Sequence, residues 1–381
     1  MADIHLQRMA QVLVHYSLSI KEGDRLGIET SSLAAPLVRE VVREAVKAGA
    51  HPEIFTQLAD MQEILLKEGS DKQVARIPQH RRIMVEEFET LLRIVAEENL
   101  KSLNTVDPQR LALAQQANNA LMRTMLKRTA ERSLRWTLTI FPTHAYAQDA
   151  DMSLSEFEDF IYHACFLDHD DPVACWQELS QQQQRLIDRL TGKRTIQLLG
   201  QDTNLTFSVE GRSWLNDNGH YNFPGGEFFT SPVETSANGS IHFSFPATVN
   251  GRSIEDVYLR FEHGVVIEAT AAQGQAYLDK MLGLDEGAHR LGEFAFGNNR
   301  NVNRSTRNVL FDEKMGRTVH LALGAGYPET GGTNRSALHW DMVYDLRRGS
   351  EVLVDGELFC KDGVFVEPST LPRKRVGNAV S

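Results

Sequence analysis

Residues 25–55 read RLGIETSSLAAPLVREVVREAVKAGAHPEIF, and this stretch decides the fold of the first half. Residues 25–29 form a short strand candidate. Pro36 suits the first turn of a helix, where its missing N–H is not needed. Leu37, Val38, Val41, Val42, Ala45 and Val46 then make an apolar stripe at helical spacing. Gly49 is placed to end that helix, and Pro52 follows it. Ile54-Phe55 opens a second strand. Strand, helix and strand in succession form a βαβ unit, so a mostly parallel sheet covered by helices is expected.

The surroundings extend this reading. Leu6, Met9, Leu13 and Tyr16 recur at helical spacing. Asp107-Pro108 reads as an N-cap and first turn of a helix running on through Leu111, Leu121 and Met125. Residues 136–141 are a strand ended by Pro142, and Ser153 with Glu156 makes a capping box. The polar run 180–184 fits a solvated helix face. Near Gly192 the texture changes to β-branched and aromatic segments separated by turn residues. The segments are 195–199, 205–209, 241–245, 257–261, 265–268, 319–323 and 351–354, with one helix at about 274–282. The expected architecture is an N-terminal α/β domain, 1–192, and a C-terminal β-rich, α+β metal-binding domain, 193–381. The basic tail after Leu371 is expected to fray.

A chain of 381 residues suits two domains. The net charge is −11, and Lys and Arg are dispersed without a basic stripe, which excludes nucleic acid as an expected partner. Cys165, Cys175 and Cys360 offer no pairing framework and fit a reducing compartment. His163 and His169 beside Cys165 and Cys175 read as a helix end rather than a zinc site. The start MADIHLQRMA lacks the pattern of a signal peptide, and no apolar run approaches the ~20 residues of a membrane span. A cytoplasmic location away from membranes is expected.

There is no His-Glu-x-x-His helix, P-loop or Gly-x-Ser-x-Gly elbow. The chemistry gathers elsewhere. In His339-Trp340-Asp341, strand alternation puts the imidazole and the carboxylate on one face. His320 lies in the apolar run 319–323, and Glu227 and Glu293 follow glycines beside aromatic residues. A carboxylate among apolar neighbours needs a partner or a metal to offset desolvation. Each residue has a plainer reading: a satisfied core histidine, a His–Asp hydrogen bond, a solvated glutamate. Jointly they favour a two-metal hydrolytic site in which two divalent ions activate a water and polarise a carbonyl. The donors leave Zn, Co, Mn and Mg all open. Tyr327, in a Gly-Tyr-Pro turn, is a candidate ligand or oxyanion donor. Asp312, Glu313 and Lys314 read mainly as supporting or surface charges.

Several motifs carry a resemblance. NFPGGEFFTSP at 222–232 resembles the N-x-P-G-G-E-V-F-T-x-P signature of the thermophilic metalloaminopeptidases, the aminopeptidase T, S and II group. GEFAFG at 292–297, FDEK at 311–314, TVHLALG at 318–324 and SALHWDM at 336–342 resemble its later motifs in order. Similar short matches occur at 136–138, 141–143 and 146–148. The resemblance implies a cocatalytic aminopeptidase with two divalent ions per subunit, acting on small peptides as a homodimer. It places the metal ligands on Glu227, Glu293, His320, His339 and Asp341, with Tyr327 as ligand or helper. It makes Glu227 or Glu293 the general base and then acid. Arg317 stands where a small residue is expected, and the 320–339 segment is short.

Two other readings stay open. A mononuclear Fe(II) dioxygenase that cleaves dihydroxypyridine-type rings resembles the same family and reuses the His/Asp end. A non-catalytic metal- or peptide-binding protein is the other.

Overall fold

The computed structural model describes residues 3–249 and 252–367, so the tail after Leu371 lies outside the described residues. The βαβ reading holds. Strands Arg25–Ser31 and His51–Gln57 flank the helix Ala35–Lys47 and pair in parallel. Thr90–Val95 and Arg135–Ile140 extend the parallel sheet on the other side of Arg25–Ser31. Leu37, Val41 and Ala45 are fully buried beneath the helix, whereas Val46 faces solvent because the apolar stripe runs out in its last turn. Leu6, Met9, Leu13 and Tyr16 are buried as expected. The helix carrying them widens into a π turn over Val12–Ser17. Asp107 caps Pro108–Ala130, and the capping box of Ser153 and Glu156 starts Leu154–Ala164.

The β-rich half begins at Thr195–Gly200, directly after the helix Pro172–Leu190. It holds a nine-stranded antiparallel sheet and a separate five-stranded antiparallel sheet. The two sheets face each other across one core. Ile196, Leu198, Leu205 and Phe207 come from one side, and Phe294, Phe296, Leu321 and Trp340 from the other.

The two halves interlock. Asn222–Phe223 returns to the first sheet as its fifth, parallel strand beside Arg135–Ile140. The hydroxyls of Thr137 and Thr139 donate to the carbonyls of His220 and Phe223 at 2.6 and 2.7 Å. Phe223, Val302, Leu310, Phe311 and Met315 join the core of the first half. The chain then leaves the parallel sheet and, four residues later at Glu227, re-enters the site-bearing sheet that Leu215–Asp217 began.

Cys165, Cys175 and Cys360 are free thiols, and His163 and His169 flank the exposed Asp168. Among the described residues no helix is long and apolar enough to cross a membrane.

Candidate metal centre

One face of the five-stranded sheet carries the site. Its strands run in the order His339–Asp345, Thr318–Gly324, Leu291–Gly297, Glu227–Thr230, Leu215–Asp217. Across the strands Asp341 pairs with Ala322, Ala322 with Glu293, and His339 with Gly324. His320 pairs with Ala295, Gly297 with Glu227, and Glu227 with Asp217. Directly opposed residues share a face, and so do residues two apart along a strand. Asp217, Glu227, Glu293, His320, His339 and Asp341 therefore all project from the same side. The positions between them on that side include Ala295, Gly297, Ala322 and Gly324, which put no bulky side chain among the donors. The alternate residues, Phe228, Phe294, Phe296, Val319, Leu321, Trp340 and Met342, enter the core on the other side.

Both glycine–glutamate contexts have a geometric reason. Gly226 has φ +115°, and an added Cβ would lie 2.5 Å from the Cβ of Asn299. Gly292 sits at the bulge that brings Glu293 opposite Ala322, and a Cβ there would collide with the carbonyls of Gly324 and Ala325. Fully buried Asn299 holds the first turn: its side-chain amide donates to the carbonyls of Ala164 (2.9 Å) and Gly225 (3.3 Å).

The five sequence candidates converge. The Nε2 of His320 lies 3.5 Å from Glu227 Oε2, 3.6 Å from Glu293 Oε1 and 4.0 Å from Asp341 Oδ1. The Nε2 of His339 lies 3.3 Å from Glu293 Oε2 and 3.4 Å from Asp341 Oδ1. The other ring nitrogens are used by the backbone: His320 Nδ1 is 3.2 Å from the carbonyl of Glu313, and His339 Nδ1 is 2.9 Å from that of Ala325. That contact fixes the ring so that Nε2 faces the carboxylates. Tyr327 stands at the rim, its ring 5.4 Å from that of His339 and 4.9 Å from that of Phe229. His339 keeps 31% of its side chain exposed, so the cluster opens to solvent on that side.

Two residues read from sequence as supporting or surface charges lie at the cluster itself, not at the surface. Glu313 joins Glu227 and His320 in one group of donors, while Glu293, His339 and Asp341 form a second. Lys314 is completely buried. Its ammonium lies 2.6 Å from Glu227 and 3.3 Å from Asp217, and it hydrogen-bonds Glu313 as well. Glu313 and Lys314 follow the short helix Val309–Asp312 and precede the strand, so no strand periodicity marks which way they point. Asp312 has a structural task, accepting bonds from Ser305, Thr306 and Arg307. Gln183 also departs from its solvated-face reading. It is fully buried, and its amide donates to the carbonyl of Glu227 at 2.9 Å. Gln181, Gln182 and Gln184 are exposed as expected. Arg317 is exposed and bonds the carbonyl of Asp362, away from the cluster.

Negative charge dominates the site. Burial opposes a charged His320, but Glu227, Glu293 and Asp341 outweigh it and push its pKa up to about 10. His339 is raised in the same way by Asp341 and Glu293 against burial. Burial raises Asp341 and Glu293, yet the histidines hold both below the usual carboxylate range. Glu227 moves the other way: burial, with Glu313 and Glu293 nearby, raises it despite Lys314. Burial likewise raises Glu313 and Tyr327. For Lys314 burial lowers the pKa, and Glu227, Glu313 and Asp217 more than reverse that.

The donor set fits divalent metal. His320 Nε2, Glu227 Oε2 and Asp341 Oδ1 are buried without a hydrogen-bond partner. Such orphaned atoms are costly unless something binds them. Metal–ligand bonds of ~2.0–2.2 Å put tetrahedral donors about 3.3–3.6 Å apart, which matches the 3.3–3.6 Å spacings between the histidines and glutamates here.

Known proteins point the same way. The family described as thermophilic metalloprotease (M29) matches residues 2–365. Aminopeptidase 2 of Geobacillus stearothermophilus is 31% identical, over 94% of this chain and 94% of its own. Aminopeptidase T of Thermus thermophilus is 26% identical, over 99% and 98%. The solved structure of wild-type AmpT from Thermus thermophilus shares the fold, with a TM-score of 0.82 at 22% identity over 95% of this chain and 99% of that one. With nearly its whole length matched, the chain belongs to the thermophilic metalloprotease (M29) family.

Proposed function

We propose that the protein is a metal-dependent aminopeptidase that uses two divalent ions to remove the N-terminal residue of short peptides. Its relatives are named as aminopeptidases. The observation that carries the two-ion reading is the charge of the cluster. Asp217, Glu227, Glu293, Glu313 and Asp341 surround the single ammonium of Lys314 and two imidazoles. With both imidazoles neutral, five carboxylates and one ammonium leave four negative charges, which two divalent ions would balance. The two donor groups, Glu227/Glu313/His320 and Glu293/His339/Asp341, offer a place for each.

Glu227, Glu293, His320, His339 and Asp341 are assigned as ligands, with Glu313 added and Tyr327 at the rim. Ions bound there would polarise the scissile carbonyl and make water more acidic. Glu293 faces both histidines, so its carboxylate is within reach of both donor groups. Glu227, Glu293 or Glu313 would take the proton of the attacking water and return it to the leaving amine. The exposed His339 side admits the peptide, whose free amine finds carboxylates at the cluster. Tyr327, whose ring lies 5.4 Å from that of His339, would donate a hydrogen bond to the developing oxyanion. Zn, Co, Mn and Mg all suit the donors. We take 1–192 and 193–381 as the two domains, with 222–223 crossing back, and expect a cytoplasmic homodimer.

The test measures bound metal per chain and compares a free-amine dipeptide with its N-acetylated form. Two ions and selective cleavage of the free amine are expected. Equal cleavage of both would exclude an aminopeptidase, and one iron per chain with ring cleavage would favour the dioxygenase.

A further inference from the structure

The two donor groups have the same chemistry, two carboxylates and one imidazole each. Lys314 contacts only one of them. Its buried ammonium binds Oε1 of Glu227 at 2.6 Å and also Oε1 of Glu313. Both carboxylates of the Glu227/Glu313/His320 group thus share one oxygen with an ammonium, and each has only one oxygen left for an ion. These charge-assisted bonds hold the two occupied oxygens in place, and an ion must compete with the ammonium for them. Glu293 and Asp341, in the other group, take no hydrogen bond from Lys314. Asp217, 3.3 Å from the ammonium, anchors it from outside both groups.

We propose that Lys314 is a built-in counter-ion that makes the two metal positions unequal. The Glu293/His339/Asp341 position binds tightly, and the Glu227/Glu313/His320 position is the exchangeable one. In the metal-free protein the ammonium stands in for part of the missing positive charge and keeps the carboxylates from repelling each other. Lys314 is thus a positioning residue, acting through Glu227 and Glu313. The inference rests on the two-ion reading above.

Purified protein stripped of metal is titrated with Co2+, followed by calorimetry and by the visible absorption of the bound ion. Wild type is expected to fill in two steps, the second about 10- to 100-fold weaker. Lys314→Met is expected to tighten the second step while lowering the Tm of the metal-free protein more than that of the Co2+-loaded protein. Lys314→Arg, which keeps the charge, is expected to retain two steps. A purely structural lysine predicts equal Tm losses with and without Co2+ and no tightening. Two equal steps in wild type, or a Lys314→Met titration like wild type, would overturn the inference and leave the two-ion reading standing. No Co2+ bound by wild type would overturn both. Should Lys314→Met not fold, one merged step in Lys314→Arg or equal steps in wild type still overturns it, and two unequal steps in both support it.

Discussion

The side-chain amide of Gln183 donates to the main-chain carbonyl of Glu227 at 2.9 Å, tying the last helix of the first half to the strand that opens the site. The same nitrogen reaches Asn216 Oδ1 at 2.6 Å and the carbonyl of Asp217 at 3.2 Å. Gln183→Leu keeps the volume and removes the side-chain donor to the carbonyl of Glu227. The expected loss is about 1–3 kcal/mol, the cost of leaving one buried polar group unsatisfied. Urea unfolding followed by circular dichroism measures it. A loss below about 0.5 kcal/mol, the level of ordinary surface changes, would show that the amide does not anchor the strand.

Glu227→Gln and Glu293→Gln each remove a charge from the cluster without changing its shape. Activity is expected to fall at least about 100-fold in both, with less bound metal and an unchanged circular dichroism spectrum. Near-normal turnover in both variants would sink the proposed site.

Gly292→Ala places a methyl group against the carbonyls of Gly324 and Ala325. The bulge must shift, and with it the direction of Glu293. We expect about 1–3 kcal/mol of destabilisation, typical of overpacking, together with weaker metal binding. Wild-type metal affinity in this variant would show that the bulge does not aim the carboxylate.

Stability of the metal-free protein should fall as pH rises. His320 is raised to about 10 in the fold, above its usual 6.5. A raised group stabilises the fold fully below its unfolded pKa and loses that contribution as pH climbs through its folded value. His339 and Glu227 are raised too and act in the same direction. The window therefore runs from about 6.5 to about 10. The Tm of chelated protein is expected to drop between pH 7 and 10, while divalent metal, which displaces these protons, flattens the slope. A flat profile in chelator would contradict the charge arrangement.

Sequence by itself determined the layers and most of the donors. The βαβ signal in 25–55 gave the parallel sheet, because helix period and capping are local properties. His339 and Asp341 were legible as neighbours, because a strand repeats every two residues. Glycine before Glu227 and Glu293 marked backbone that no larger residue fits. Tertiary structure alone decided the rest. Register across five strands chose which face each donor shares, and no local pattern encodes that pairing. Glu313 and Lys314 read mainly as supporting or surface charges, since charged residues before a strand do not say by themselves which of them meets water. Only the assembled sheet surrounds Lys314 with Asp217 and Glu227 and buries it. Gln183 escaped for the same reason: one amide in a run of four glutamines is buried only where the strand crosses beneath the helix.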